Sequence, residues 1–370
     1  MTRRINREQG IPIYRQLKEI LRRAIFDEFN PGDKFYSEGQ IARKYDVSSM
    51  TVNKVICELA LEGLLYRVQG KGTFISNREV GQKKNIVVLL PLETPEIFSD
   101  EFFSIIWKGM EKEAGILGLN LITVGYSEHK RKMEEYINVL DHNGIKGAVL
   151  LDIGANELLY LRDAGIPVVL LDYIRSTGDG IVSISTDNVD GAIEIVEYLI
   201  GLGHKRIACI GALTESPSFS ERIKGYRTAL TRRGLKADEE LIRISDRSLL
   251  KDRGKAAMFN CGYRTMKELL KSKKHFTAVF AVNDTIALGA VKAIKEEGLS
   301  IPQDISIAGF DGTVSAGKSD PPLTTMNIFT EKMGRLAVRM LNDITVADEP
   351  REIMISSQLI VRESCRRLDG

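Results

Sequence analysis

The sequence predicts a small α+β domain of helices and a hairpin, followed by a larger α/β body. Over the first 76 residues, apolar positions recur at helical spacing three times, then give way to two short β-rich runs around a glycine turn. From Ile86 onward, strand-sized apolar runs alternate with amphipathic segments, the pattern of parallel sheets flanked by helices. Residues 77–85 between them are polar and aperiodic and read as a linker. The expected organisation is therefore 1–76, 77–85 and 86–370.

Pro12 opens the first helix, on which Leu17, Ile20, Leu21, Ala24 and Ile25 share a face, and Asn30-Pro31-Gly32-Asp33 ends it. Ser37 followed by Gln40 is a capping-box spacing and starts a second helix held by Ile41, Ala42 and Tyr45. After the turn at Asp46-Val47-Ser48, a third helix is capped by Ser48 or Ser49 and buries Val52, Val55, Ile56 and Leu59. Gly63 suits its C-terminal cap. Leu64–Val68 and Thr73–Ile75 are strands joined by Gln69-Gly70-Lys71-Gly72.

Helix, helix, turn, helix and hairpin in that order is a winged helix-turn-helix. The outer face of the third helix carries Ser49, Met50, Thr51, Asn53 and Lys54, sized for a DNA major groove, where Asn pairs with adenine and Lys reaches guanine or phosphate. Ser37 and Ser48, at helix starts, join this set. So do Gln69, Gly70, Lys71 and Gly72, because glycine lets the backbone approach a duplex. The competing reading is a helical docking module. Gly70-Lys71-Gly72-Thr73 lacks the spacing of a phosphate loop.

Residues 12–75 resemble the DNA-binding domain of the GntR family. The shared words are Pro31-Gly-Asp33, Ser37-Glu38, Ile41-Ala42, Val47-Ser48, Thr51-Val52, Leu59-Ala-Leu-Glu-Gly-Leu64 and Gln69-Gly-Lys-Gly-Thr-Phe74. That family commonly has arginine where this chain has Ser49 and Asn53. Both departures fall on the reading face, so no operator sequence is carried over.

In the body, expected strands are Ile86–Leu90, Leu119–Val124, Gly147–Leu151, Pro167–Leu171, Arg206–Gly211, Thr277–Ala281 and Ile305–Phe310. Expected helices include Phe102–Leu117, Asp187–Leu202, Ser220–Arg233 and Asp284–Glu297. The length is large for one open sheet and points to two lobes. Ligands of such sheets lie beyond the carboxyl ends of strands. Asp172, Asn283, Asp284 and Asp311 follow strands, and Ser218 and Arg222 open a helix. A sugar needs such groups for its hydroxyls and an aromatic face for its C–H surface. Phe98, Phe102 and Phe103 are candidates for that face, with core packing the alternative. Asp172 reads equally as a turn cap, and Asp284 better as a helix cap than as a ligand contact.

Residues 86–370 resemble the sensor of the LacI/GalR family, which has the two-lobed, type I periplasmic-binding-protein-like fold. The matching segments include Lys146-Gly-Ala-Val149, Gly165-Ile-Pro-Val-Val-Leu-Leu-Asp172, Leu202-Gly-His-Lys-Arg-Ile207, Arg222-Ile-Lys-Gly-Tyr226, Ala281-Val-Asn-Asp284, Ile301 through Asp311, and Pro322-Leu-Thr-Thr325. The resemblance implies effector contacts at Asp172, Ser218, Arg222, Asn283 and Asp311, and lobes joined by crossings near residues 185, 312 and 327. Relatives often have a polar residue where Ile328 stands. The combination of the two domains is that of the arabinose-responsive repressors of Gram-positive bacteria. It implies a cytoplasmic homodimer that binds double-stranded operator DNA and is released by a sugar such as arabinose or another pentose. A purine or phosphorylated-sugar corepressor is the alternative ligand.

Bulk properties agree. Of 370 residues, 43% are hydrophobic and 28% charged, ordinary for a globular chain. Residues 1–84 hold 16 basic and 10 acidic side chains and the remainder 36 and 40, so the polyanion partner belongs to the first part. No apolar run approaches a membrane span, and Met1-Thr-Arg-Arg-Ile5 is not a secretory leader, which argues against a transport binding protein. The four cysteines and four histidines are scattered; free thiols, no metal and no other cofactor are expected. No catalytic motif supports a sugar-acting enzyme.

Overall fold

The computed structural model describes residues 5, 12–61, 63–68, 71–76, 85–91, 101–126, 145–151, 161, 165–172, 180–212, 217–245, 255–344 and 348–368. The chain passes from a first compact unit to a second between Asn85 and Ile86. The expected linker residues 77–84 lie outside the described residues.

In the first unit, α1 (Ile13–Glu28) buries Leu17, Leu21, Ala24 and Ile25. It stops where Gly32 takes φ 86° and Asp33 accepts from the Asn30 amide at 2.7 Å. The second helix, α2 (Glu38–Tyr45), has the expected capping box, with Ser37 and Gln40 bonded reciprocally. Asp46 closes it in the left-handed region. Ser48 caps α3 (Ser49–Leu61), accepting from the Thr51 amide at 3.2 Å. Val52, Val55, Ile56 and Leu59 on α3 are fully buried against Leu17, Leu21 and Ile41, one apolar stripe from each helix. Antiparallel β1 (Leu65–Val68) and β2 (Gly72–Ile75) form the wing. The 32–35 segment adds to its edge through Gly32 N to Ile75 O and Phe35 N to Thr73 O.

The second unit has two lobes. The first is a six-stranded sheet of β3 (Asn85–Pro91), β4 (Asn120–Tyr126), β5 (Ile145–Leu151), β6 (Val168–Leu171), β7 (Ile181–Thr186) and β13 (Arg351–Ile355). Their order is β13-β7-β6-β5-β3-β4, with β5, β6, β7 and β13 parallel. Helices α4 (Glu101–Leu117) and α10 (Thr330–Asp343) cover it. They cross closely because Gly109 and Gly334 meet the facing backbone, where a Cβ would strike the carbonyls of Glu331 and Ile106.

The second lobe is a four-stranded parallel sheet of β8 (Ile207–Ala212), β9 (Ile242–Ser245), β10 (Ala278–Ala281) and β11 (Ser306–Ala308), in the order β11-β10-β8-β9. Around it lie α5 (Asn188–Gly201), α6 (Pro217–Arg232), α7 (Lys255–Lys271), α8 (Asp284–Glu296) and the short α9 (Val314–Gly317). An antiparallel pair, β12 (Thr325–Asn327) and β14 (Gln358–Ile360), completes it.

The chain changes lobes between Thr186 and Asn188, between Asn327 and Thr330, and between Ile355 and Gln358. The expected crossing near 312 is incorrect. Ala308 pairs with Thr324, and Ala316 and Leu323 are buried in the second-lobe core, so 306–323 never leave that lobe. The returning strand β13 and its exit at 355–358 supply the third crossing.

Candidate functional site

The first candidate surface is the outer face of α3 with the wing. Ser49, Met50, Asn53 and Lys54 are exposed, Met50 at 82%, while Thr51 is half-buried and shares a 2.9 Å hydrogen bond with Ser48. Ser37 and Ser48 spend their hydroxyls as helix caps, accepting from the Gln40 and Thr51 amides. Lys71 is exposed and Gly72 has φ 116°, a conformation that needs glycine. Gln69 and Gly70 lie outside the described residues.

Two contacts here escape sequence reasoning. One Glu38 carboxylate oxygen accepts from Asn53 Nδ2 at 3.1 Å and from Arg67 Nη2 at 2.9 Å, tying the reading helix to the wing. Lys54 Nζ sits 4.1 Å from the centre of the Tyr14 ring. The partners are 15, 29 and 40 residues apart, so no local pattern announces them.

The second candidate site lies where the lobes meet. Arg222, 2% exposed on α6, is its centre. Its Nε donates to Asn188 Oδ1 at 2.9 Å, and its Nη1 donates to Val282 O at 2.8 Å and Asp311 Oδ1 at 2.9 Å. The guanidinium lies 4.0 Å from the centre of the Phe310 ring. A planar, rigid fork with five donors is suited to this work, and the stacked ring limits its motion. Among the described residues, Arg222 Nη2 and Asp311 Oδ2 make no hydrogen bond. They present a donor beside an acceptor.

Asp311 holds φ 127°, an unusual backbone for a residue with a Cβ. Asp284 explains how it is kept there. That carboxylate is fully buried and accepts from Thr313 N at 2.8 Å, Thr313 Oγ1 at 3.0 Å and Thr325 Oγ1 at 2.6 Å. Burial pushes both carboxyls up; Arg222 pulls against it at Asp311, and the threonine hydrogen bonds do so at Asp284.

Across the cleft, Asp172 at the end of β6 accepts from Ser218 Oγ at 2.7 Å. Asp172 adopts φ 59°. Asn188 donates to Glu221 at 3.1 Å, and burial raises the Glu221 carboxyl with Asp172 and Asp187 adding to the effect. The structure thus gathers Asp172, Ser218, Arg222 and Asp311, joined by Asn188, Glu221 and Phe310, which the sequence did not reveal.

Other expectations change. Asn283 is the cap of α8, accepting from the Ile286 amide at 2.8 Å, and the role assigned to Asp284 as cap is incorrect. Asn283 Nδ2 has no partner among the described residues and remains available. Phe103 is 2% exposed in the first-lobe core beside Trp107, so it does not line the cleft. Its spacing with Ile106 and Met110 was the available signal. Phe102 is half-buried and packs against the cores of both lobes. Phe98 lies outside the described residues. Ile328 is fully buried in the second-lobe core. Among the described residues no cluster suits a metal ion, and no helix is long and apolar enough to cross a membrane.

Comparison with known proteins gives the class of the chain. Residues 13–75 match bacterial regulatory proteins of the gntR family, and residues 196–365 match the periplasmic binding protein-like domain. The chain is 31% identical to the HTH-type transcriptional repressor CytR of Escherichia coli (strain K12), over 87% of this chain and 89% of that one. It is 27% identical to the arabinose metabolism transcriptional repressor of Geobacillus stearothermophilus, over 98% and 100% of the two chains. The solved complex of the regulator CelR with cellobiose superposes with a TM-score of 0.65 at 26% identity, covering 88% of this chain and 95% of that one. The chain belongs to the HTH-type transcriptional regulators, with a gntR-type reader and a periplasmic-binding-protein-like sensor, and is a ligand-responsive DNA-binding protein rather than an enzyme.

Proposed function

We propose that this chain represses carbohydrate-utilisation genes and leaves its operator when an unphosphorylated sugar closes the cleft between its lobes. The observation that carries this is the half-used fork of Arg222 beside the half-used carboxylate of Asp311. Each sugar hydroxyl both donates and accepts, so neighbouring hydroxyls match a donor set next to an acceptor. The charge around the fork favours a neutral ligand. Arg222 stands with the carboxylates of Asp172, Glu221 and Asp311, an unfavourable setting for a phosphate dianion. Similarity to an arabinose repressor and to a regulator solved with cellobiose supports the same class.

Asp172, Ser218, Arg222, Asn283 and Asp311 are the proposed polar contacts, with Phe102 as the apolar wall. Ser49, Met50, Thr51, Asn53, Lys54, Lys71 and Gly72, with the capped helix starts at Ser37 and Ser48, are the proposed DNA contacts. Two such readers in a homodimer would meet two half-sites, and lobe closure would alter their spacing. A thermal-shift panel of pentoses, hexoses, cellobiose, sugar phosphates and purines tests the ligand class. A free sugar should raise Tm in the wild type and not in Arg222→Ala. Stabilisation by purines or sugar phosphates alone would replace this ligand with a corepressor.

A further inference from the structure

The segment that carries Asp311 also carries a contact between the lobes. Glu101 is the first residue of α4 in the first lobe, and Ser315 lies on α9 in the second. Ser315 N donates to Glu101 Oε2 at 3.0 Å, and Ser315 Oγ donates to Glu101 Oε1. A helix start leaves several N–H groups without partners. On α9 one of these, Ala316 N, is taken by its own cap, Thr313 Oγ1, at 3.2 Å. Another, Ser315 N, is taken by a carboxylate from the opposite lobe. The cap of α9 is complete only when the lobes stand together.

Three residues separate Ser315 from Asp311. Thr313 between them is anchored to Asp284 through both its amide and its hydroxyl. Asp284 therefore fixes the middle of a stiff segment whose two outer points are a proposed effector contact, Asp311, and an inter-lobe contact, Ser315. The other side of the cleft has its own bridge, Ser218 to Asp172.

The geometry points to Glu101 as a positioning residue that latches the two lobes through Ser315 and so couples Asp311 to closure. The role assigned to Glu101 acts through Ser315 and needs no contact with the ligand. It sets how much of the population is closed before ligand arrives, and hence how tightly ligand binds. This rests on the cleft being the effector site, but the latch can be tested without any ligand.

The test is amide hydrogen exchange on the full-length protein, comparing wild type, Glu101→Gln, Glu101→Ala and Ser315→Ala. Peptides covering 313–318 report the latch, and peptides covering 217–222 report the opposite rim. Loss of a charge-assisted pair of hydrogen bonds should speed exchange in both peptides by roughly tenfold in Glu101→Ala. Glu101→Gln and Ser315→Ala should fall between it and wild type. Exchange that rises only in 313–318 would reduce Glu101 to a local helix cap and overturn the coupling. Unchanged exchange in both peptides would overturn the latch. Titration with L-arabinose and cellobiose by calorimetry is the separate arm. Where wild type binds either sugar, Glu101→Ala should weaken it several-fold, and unchanged affinity would overturn the coupling. If neither binds, the choice of sugars fails, while the exchange result still decides the latch.

Discussion

Replacing Arg222 with alanine is the most informative single perturbation. The change removes donors to Asn188, Val282 and Asp311 and empties the space over Phe310. Removing one half of a buried ion pair costs about 3–5 kcal/mol. Here the cost falls near 3 kcal/mol, since Asp311 escapes by taking up a proton. That corresponds to a Tm lowered by roughly 5–10 °C in a large domain. The sign of the pH dependence follows. Burial already holds the Asp311 carboxyl above its ordinary range, and without Arg222 it rises further. A raised carboxyl favours the folded state at low pH and loses that contribution as pH rises through the raised value. Below a pH of about 8 the Asp311 carboxyl is protonated in both proteins, and the deficit of Arg222→Ala against wild type should be level; it should grow as pH rises through that value, where only the wild type gains the ion pair. Adding Asp311→Asn should recover part of it. Chemical denaturation of all three proteins across pH 6–10 measures this. A pH-independent deficit, or a double variant less stable than the single, would refute the electrostatic account of the cleft.

Three further predictions follow from the two units. Glu38→Ala releases Asn53 and Arg67 together; operator affinity measured by fluorescence anisotropy should fall while the Tm of the reader changes little. Lys54→Ala should weaken operator binding by about 1–3 kcal/mol if the side chain leaves Tyr14 to read a base, and unchanged affinity removes it from the reading set. Glu113, 2% exposed, ties α4 to α10 through Arg339 and Arg335, whose hydrogen bonds hold its carboxyl below the ordinary 4.5. Glu113→Gln should cost about 1–3 kcal/mol at neutral pH, with the difference from wild type shrinking as pH falls below the ordinary glutamate range.

Much of this was legible in the sequence because the relevant signals are local. The capping box at Ser37 and Gln40 is a four-residue pattern, and the α3 stripe of Val52, Val55, Ile56 and Leu59 is a helical period. Polar residues at strand ends located Asp172 and Asp311. What stayed hidden depends on chain-distant neighbours. Asn188 and Phe310 matter only because Arg222 reaches both. Asp284 follows a strand as Asp172 does, yet it is a buried anchor, because Asn283 one residue earlier takes the cap. The crossing placed near 312 by resemblance failed because Thr313 is held in the second lobe by Asp284, a contact between residues 29 apart.

The central claim is that ligand in the cleft controls DNA binding by the N-terminal reader. It is tested most directly by titrating labelled DNA from the promoter of this chain's own gene with full-length protein, with and without the sugar that raises its Tm. Operator affinity should drop at least tenfold with sugar in the wild type, and Arg222→Ala should bind the same DNA with no response to sugar. A sugar that stabilises the protein yet leaves operator affinity unchanged would contradict the account.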